Sequence, residues 1–105
     1  MVSPAKDTTL LAKRLKTARE RINISQMELG VRAGIDEYSA SARINQYERG
    51  KHAPDFNTAK TLAKVLDIPT AYLYCEDDAL AELIATFGQL TSSQKKAVLQ
   101  YVKSL

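Results

Sequence analysis

The sequence contains few of the residues that build disulfides, metal centres and phosphate-binding loops. Its 105 residues include one cysteine, Cys75, one histidine, His52, and four glycines. A single cysteine excludes an internal disulfide framework, and one cysteine with one histidine is too few ligands for a structural zinc site. We therefore expect no cofactor and no metal, and we expect a reducing compartment, which for this chain is the cytoplasm.

Groups for catalysis are equally scarce. General acid–base chemistry needs placed carboxylates or a histidine, and nucleophilic catalysis needs a base beside a serine or cysteine. His52 lies in a basic stretch, whereas Cys75 lies farther along the chain, next to three acidic residues. The sequence therefore predicts no catalytic residues and no enzymatic activity, and it predicts a packing role for Cys75, with a redox sensor as the alternative.

Long apolar runs and strand-like alternation are also missing from the sequence. No stretch approaches the roughly 20 apolar residues that span a bilayer, and the amino-terminal residues become charged before any such run begins. We expect neither secretion nor contact with a membrane. Apolar residues recur instead at helical spacing, which predicts an all-α fold with one core.

The positive charge is concentrated in the first two thirds of the chain. Residues 1–66 hold twelve Lys and Arg against seven Asp and Glu, a net charge of +5, while residues 67–105 hold three against five, a net charge of −2. A basic half of this kind is typical of a polyanion-binding module, and an ordinary solvated helix face is the alternative.

Residues 25–54 have the pattern of two short helices joined by a tight turn. Ser25 and Glu28 predict a reciprocal capping box at the start of the first helix, and Gly34 ends that helix. The second helix is capped by Asp36 or Ser39, runs through Arg49 and stops at Gly50. Its inward residues are Ile44 and Tyr47, and the first helix of the pair buries Leu29 together with Met27, Gly30 or Ala33.

Further helices flank this pair on both sides. We predict a flexible arm over residues 1–7, a domain over residues 8–75 that contains the central pair of helices, and a helical pair over residues 76–105 that packs on this domain or forms a dimer interface. The first helix starts at Thr8 or Thr9 and carries Lys13, Arg14 and Lys16 on its solvent side. The predicted inward positions elsewhere are Leu11, Leu15, Ala18, Ile22, Phe56, Ala59, Leu62, Ala63, Leu66, Tyr72, Leu73, Leu80, Leu83, Ile84 and Phe87. The apolar residues of a final amphipathic helix are Ala97, Val98, Tyr101, Val102 and Leu105.

The span from Leu15 to Tyr74 resembles the helix-turn-helix of phage repressors and XRE-type transcriptional regulators. The matching pieces are SQMEL at residues 25–29, AGI at residues 33–35, YERGK at residues 47–51, Pro54, and LAKVLDIP at residues 62–69. The resemblance implies a five-helix DNA-binding domain followed by two further helices. It also implies a sequence-specific regulator, expected to be a repressor, that binds a pseudo-palindromic operator in double-stranded DNA as a homodimer without an evident small-molecule ligand.

One departure from the family pattern affects the second helix of the pair. About four more residues than usual separate Gly34 from Glu48, and we place this insert in residues 36–39, DEYS. Because a helical turn takes about 3.6 residues, the insert either adds one turn to the helix or lengthens the preceding loop. The sequence leaves both alternatives open.

The resemblance also implies roles for individual residues, each with a plain exposed surface position as its alternative. It assigns phosphate contacts to Gln26, Arg49, Lys51 and His52, and base contacts to Ser41, Ala42, Arg43, Asn45 and Gln46. Arg43 suits guanine and Gln46 suits adenine, because each side chain can present two hydrogen-bonding groups in one plane. Arg19 and Glu48 are implied to form a structural ion pair. A second function class remains open, a protein-interaction module such as an antitoxin that binds a partner protein.

Overall fold

Helices account for all the regular structure in the described part of the chain. A computed structural model describes the backbone of residues 4–105 and the side chains from residue 10 onward, and within that range there is no strand. The all-α prediction is confirmed. The elements are α1 (Pro4–Arg21), α2 (Gln26–Arg32), α3 (Glu37–Glu48), α4 (Phe56–Val65), a 3-10 helix (Thr70–Tyr74), α5 (Asp78–Gly88) and α6 (Ser92–Ser104).

Helix α1 begins earlier than the apolar spacing predicted. It starts at Pro4 rather than at Thr8 or Thr9. Proline suits the first turn of a helix because an N–H group there would have no intrahelical acceptor. Residues 1–3 of the predicted arm lie outside the described residues. None of the described helices is long and apolar enough to cross a membrane.

The helix starts are encoded by side-chain caps. Ser25 Oγ accepts from the Glu28 N–H at 2.9 Å, as predicted. The returning half of that capping box was predicted wrongly, because the Glu28 carboxylate pairs with Arg32 instead. Both halves of a capping box occur at Thr91 and Gln94. The caps of α2 to α6 are Ser25, Asp36, Asp55, Asp77 and Thr91.

Glycine ends both helices of the central pair. Gly34, with φ of +90°, follows α2, and its N–H donates to the Val31 carbonyl at 3.0 Å. The Ile35 N–H donates to the Gly30 carbonyl at 2.9 Å, which completes a Schellman motif. The same arrangement follows α3, where Gly50 has φ of +73°. The sharp turn at Gly34 sets the angle between α2 and α3.

The core is formed by residues of α1, α2, α3, α4 and the 3-10 helix together with Ala81 and Ala85 of α5. Gly30 lets α2 and α3 approach closely, since a Cβ atom built on it would lie 2.7 Å from the Cβ atom of Ala40. The largest fully buried side chains are Leu15, Leu29, Ile44, Leu62, Leu66, Tyr72 and Leu73.

Several apolar positions were predicted inward wrongly. Helix α5 packs through the small residues Ala81 and Ala85, and α6 buries no residue at all. Ile22 follows the last residue of α1 and Phe56 is the first residue of α4. The residues predicted inward that are 40% to 61% exposed are Ile22, Phe56, Leu80 and Leu83.

Arg14 does not lie on the solvent side of α1, contrary to the prediction. Its guanidinium is buried, donates to the carbonyls of Cys75 at 2.8 Å and Glu76 at 3.2 Å, and pairs with Asp78 at 2.9 Å. These bonds anchor the start of α5 on α1. The hydrogen bond from Arg14, with the charge of nearby Lys13, lowers the pKa of Asp78 below its usual value.

Candidate nucleic-acid interface

Helix α3 presents one face to the core and the opposite face to solvent. Ala40, Ile44 and Tyr47 are buried. Each residue advances the helix by about 100°, so the opposite face carries the positions halfway round from these three. The side chains exposed on α3 are Glu37, Tyr38, Ser39, Ser41, Ala42, Arg43, Gln46 and Arg49, the last at its C-cap.

The insert at residues 36–39 extends α3 by a turn. Asp36 is the N-cap, and its carboxylate accepts from the Tyr38 N–H at 3.0 Å. Residues 37–39 are helical, so the loop between α2 and α3 stays short. The outward face of α3 therefore begins about one turn before Ser41, the first residue that the resemblance assigned to base contacts.

The five residues assigned to base contacts occupy different parts of the α3 surface. Ala42 and Gln46 lie on the outward face, and Asn45 is half-buried beside α2. Arg43 lies on the flank, where it shares a shallow cleft with Asp55 and Thr58 at the start of α4. Ser41 is exposed on the other flank. The structure thus brings Ala42, Asn45 and Gln46 together and places Arg43 to one side.

Arg19 and Glu48 join α1 to the last residue of α3. Arg19 Nε donates to Glu48 Oε2 at 2.6 Å, and Nη2 donates to Oε1 at 3.0 Å. The side chains are 13% and 3% exposed, so water screens the pair weakly. The hydrogen bond to Glu48 raises the pKa of Arg19 above its already high value, although burial opposes the shift. The third nitrogen of the guanidinium, Nη1, donates to the Ile24 carbonyl at 2.8 Å.

Gln26 connects this ion pair to the outward face. Its side-chain amide donates to Glu48 Oε1 at 3.1 Å and to Asn45 Oδ1 at 3.3 Å. A phosphate contact by Gln26 therefore requires its amide to give up one of these two bonds. The bond to Asn45 holds that side chain in place and leaves the Asn45 amide nitrogen available to donate. The sequence indicated no such link, because nothing in the chain order relates Gln26 to Asn45 or Glu48.

The residues assigned to phosphate contacts at the end of α3 are exposed. Arg49 is the C-cap of α3, and Lys51 and His52 follow Gly50 in a loop that ends at the buried Pro54. The Lys51 N–H donates to the Gln46 carbonyl at 3.0 Å, which ties the loop to the helix. Lys51 is therefore held beside the outward face rather than on a free loop.

Arginines on α3 differ from those on the preceding helices in their partners. Arg14, Arg19, Arg21 and Arg32 each form an ion pair with a carboxylate of this chain. Among the side chains that the structure describes, Arg43, Arg49 and Lys51 form none within 4.0 Å. The positive charge of α1 and α2 is thus partly neutralised internally, while that of α3 and its loop remains available to an external anion.

One exposed side chain on α3 was not singled out from the sequence. Tyr38, inside the insert, is 98% exposed. Its position depended on whether residues 36–39 were helix or loop, and the residue pattern did not decide between the two. The one indication in the sequence was Asp36, because a helix capped there rather than at Ser39 includes Tyr38.

A second surface lies between α5 and α6. An apolar groove with a volume of about 300 Å³ runs between the two helices. Leu83, Leu99 and Val102 are each about half exposed at this groove. The groove is lined by apolar side chains, which are Pro69, Leu83, Ile84, Phe87, Val98, Leu99 and Val102.

Comparison with known proteins gives consistent matches. A helix-turn-helix family model matches residues 15–73. The chain is 30% identical, over 87% of its length, to an uncharacterized HTH-type transcriptional regulator, y4dL, of Sinorhizobium fredii (strain NBRC 101917 / NGR234), and it spans 47% of that relative's length. The chain also matches the crystal structure of the transcriptional regulator BswR, with 50% sequence identity and a TM-score of 0.84. The match covers 90% of this chain and 93% of the BswR chain.

Proposed function

The chain belongs to the XRE-type helix-turn-helix family of transcriptional regulators, and from this premise we propose that it is a sequence-specific repressor that inserts α3 into the major groove of DNA. The observation that carries the proposal is the outward face of α3, where the side chains of Gln46 and Arg49 are exposed and form no hydrogen bond or ion pair with any other described side chain. A helix with small residues such as Ser41 and Ala42 on its exposed side fits a groove about 12 Å wide.

Base recognition is assigned to five residues of α3. Gln46 reads adenine and Arg43 reads guanine, because each side chain can form two hydrogen bonds in the plane of the base, worth about 1–3 kcal/mol of discrimination per pair. Asn45, oriented by its bond with Gln26, donates its free amide hydrogens to a base. Ser41 and Ala42 complete the reading face.

Phosphate contacts position α3 without reading sequence. Arg49, Lys51 and His52 bind the backbone beside the C-terminal end of α3, and Gln26 binds it on the other side once its amide is released from Glu48. Every cation that neutralises a phosphate releases counterions. Binding therefore weakens with salt, by a logarithmic slope of about 0.9 for each phosphate contacted.

The protein acts as a homodimer on a pseudo-palindromic operator. A second copy covers the apolar groove between α5 and α6, because Leu83, Leu99 and Val102 are about half exposed in one copy and burying them against their equivalents stabilises the pair. The same patch then meets itself across a two-fold axis. Two copies of α3 enter major grooves about 34 Å apart, or a multiple of that distance.

The test is a titration of the whole chain with random-sequence duplex DNA at two salt concentrations. We expect measurable binding at low salt that weakens steeply at high salt. Lys51→Ala should reduce the logarithmic salt slope by about 1 per protein copy, whereas Lys96→Ala, an equal change of charge on the exposed side of α6, should leave it unchanged. Absence of binding at low salt would overturn the proposal and favour a protein partner, the role of an antitoxin.

A further inference from the structure

The additional turn of α3 carries a solvent-exposed aromatic side chain at its tip. Tyr38 is 98% exposed, and among the described residues its side chain has no hydrogen-bond or ion-pair partner. The backbone around it is well fixed, because the Asp36 carboxylate accepts from its N–H at 3.0 Å. Because the ring is almost fully exposed, it contributes almost nothing to the stability of this chain.

The position of Tyr38 on α3 places its ring on the DNA-facing side. Ala42, Asn45 and Arg49 follow it by four, seven and eleven residues, the spacing of a single helical stripe. This stripe lies opposite the buried residues of α3. In helix-turn-helix proteins the amino-terminal residues of the second helix contact base edges, and Tyr38 lies in that first turn.

The neighbours of Tyr38 indicate a base contact rather than a phosphate contact. Asp36 and Glu37 are exposed carboxylates at the same tip of α3, and a backbone phosphate next to them would be repelled. An aromatic ring gains most from contact with an apolar group. In the major groove the largest apolar group on a base edge is the C5-methyl group of thymine.

We propose that the ring of Tyr38 reads a thymine through its C5-methyl group. Tyr38 lies one turn of α3 before Ala42, so this thymine lies beyond the base that Ala42 contacts. This inference rests on the proposed function, since it requires α3 to lie in the major groove. It extends the reading face by one position that the family pattern does not include, because the residue belongs to the insert. The phenol hydroxyl is not required for the contact.

The experiment uses an operator obtained by selecting bound sites from random duplex DNA. Each thymine of one half-site is replaced in turn by deoxyuridine, which removes only the C5-methyl group. At one of these positions we expect the affinity of the unaltered protein to fall about fourfold, the value of one buried methyl group. Tyr38→Ala should bind the thymine operator more weakly and be insensitive to that replacement, and Tyr38→Phe should behave like the unaltered protein.

Three results would overturn the inference while leaving the proposed function intact. The first is unchanged affinity for Tyr38→Ala; the second is an equal loss on every operator and on random DNA. The third is a Tyr38→Phe variant that behaves like Tyr38→Ala, which would place the hydroxyl group on a phosphate. A protein that selects no sequence at all fails at the earlier step and overturns both. Helical circular dichroism should be the same for all three proteins, since the ring packs against nothing.

Discussion

Arg19 and Glu48 share two parallel hydrogen bonds, at 2.6 and 3.0 Å, across the interface between α1 and α3. Glu48 Oε1 also accepts from Gln26 on α2. A single carboxylate therefore connects the three helices that support the proposed reading face. The ion pair makes no proposed contact with DNA itself. It supports DNA binding indirectly, because it fixes the carboxyl end of α3.

Arg19→Ala should cost about 3–5 kcal/mol in the free energy of unfolding, because it leaves the buried Glu48 charge without its partner. Urea unfolding followed by circular dichroism measures the loss. Arg21→Ala is the matched control: Arg21 also forms two hydrogen bonds with a glutamate, Glu82, but both side chains are about half exposed. Such a pair contributes about 0–1 kcal/mol. Equal losses for the two variants would contradict the role given to Glu48.

Gly30→Ala should destabilise the fold by about 1–3 kcal/mol, as overpacking in a dense core does. The added Cβ atom would lie 2.7 Å from Ala40 Cβ and 3.0 Å from Ala40 Cα. Thermal unfolding of the single variant, of Ala40→Gly and of the double variant tests this contact. The double variant should lose less stability than the two single losses added together, because one clashing atom is removed. Strict additivity would show that the two positions do not interact.

The sequence was sufficient to predict most helices and the central turn. Side-chain caps and Gly34 act within a few residues, so their effect can be read locally. The inward face of α5 could not be predicted from the size of its apolar residues, because Ala81 and Ala85 allow closer approach than Leu80 and Leu83. Contacts between residues far apart in the chain, such as Arg14 with Cys75 and Gln26 with Asn45, depend on how the helices pack. The conformation of the insert at residues 36–39 could not be predicted either, because the local pattern was compatible with a cap at Asp36 or at Ser39.

Stability at low pH should depend on Asp55. The Thr58 N–H donates to its carboxylate and lowers its pKa in the folded chain, while the unfolded value is about 3.9. The stabilisation by the ionised Asp55 carboxylate is therefore complete above about pH 4. It is lost as the pH falls through the lower pKa that Asp55 has in the folded chain. Asp55→Asn keeps a capping oxygen but cannot titrate. Urea unfolding at pH 6 and pH 3 measures how much of the free energy of unfolding is lost on acidification. The loss should be smaller for the variant than for the unaltered protein, and equal losses would contradict the role given to Asp55.

Leu99→Asp should break the proposed dimer, because it places a charge in the apolar groove between α5 and α6. Sedimentation measures the effect at a protein concentration where the unaltered chain is dimeric. Gln100→Asp is the control, since it adds the same charge at the adjacent position of α6, which does not line the groove. We expect a monomer for the first variant and a dimer for the second. A dimer in both cases would move the interface elsewhere on the molecule.

Selection of bound sites from random duplex DNA, performed on the unaltered protein, Gln46→Ala and Lys51→Ala, tests whether the outward face of α3 reads the bases. We expect a two-fold symmetric motif for the unaltered protein. Gln46→Ala should lose the preference at one base pair of each half-site, and Lys51→Ala should return the same motif with weaker binding throughout. An unchanged motif for Gln46→Ala, or no motif for the unaltered protein, would contradict the assignment of the outward face of α3 to base recognition.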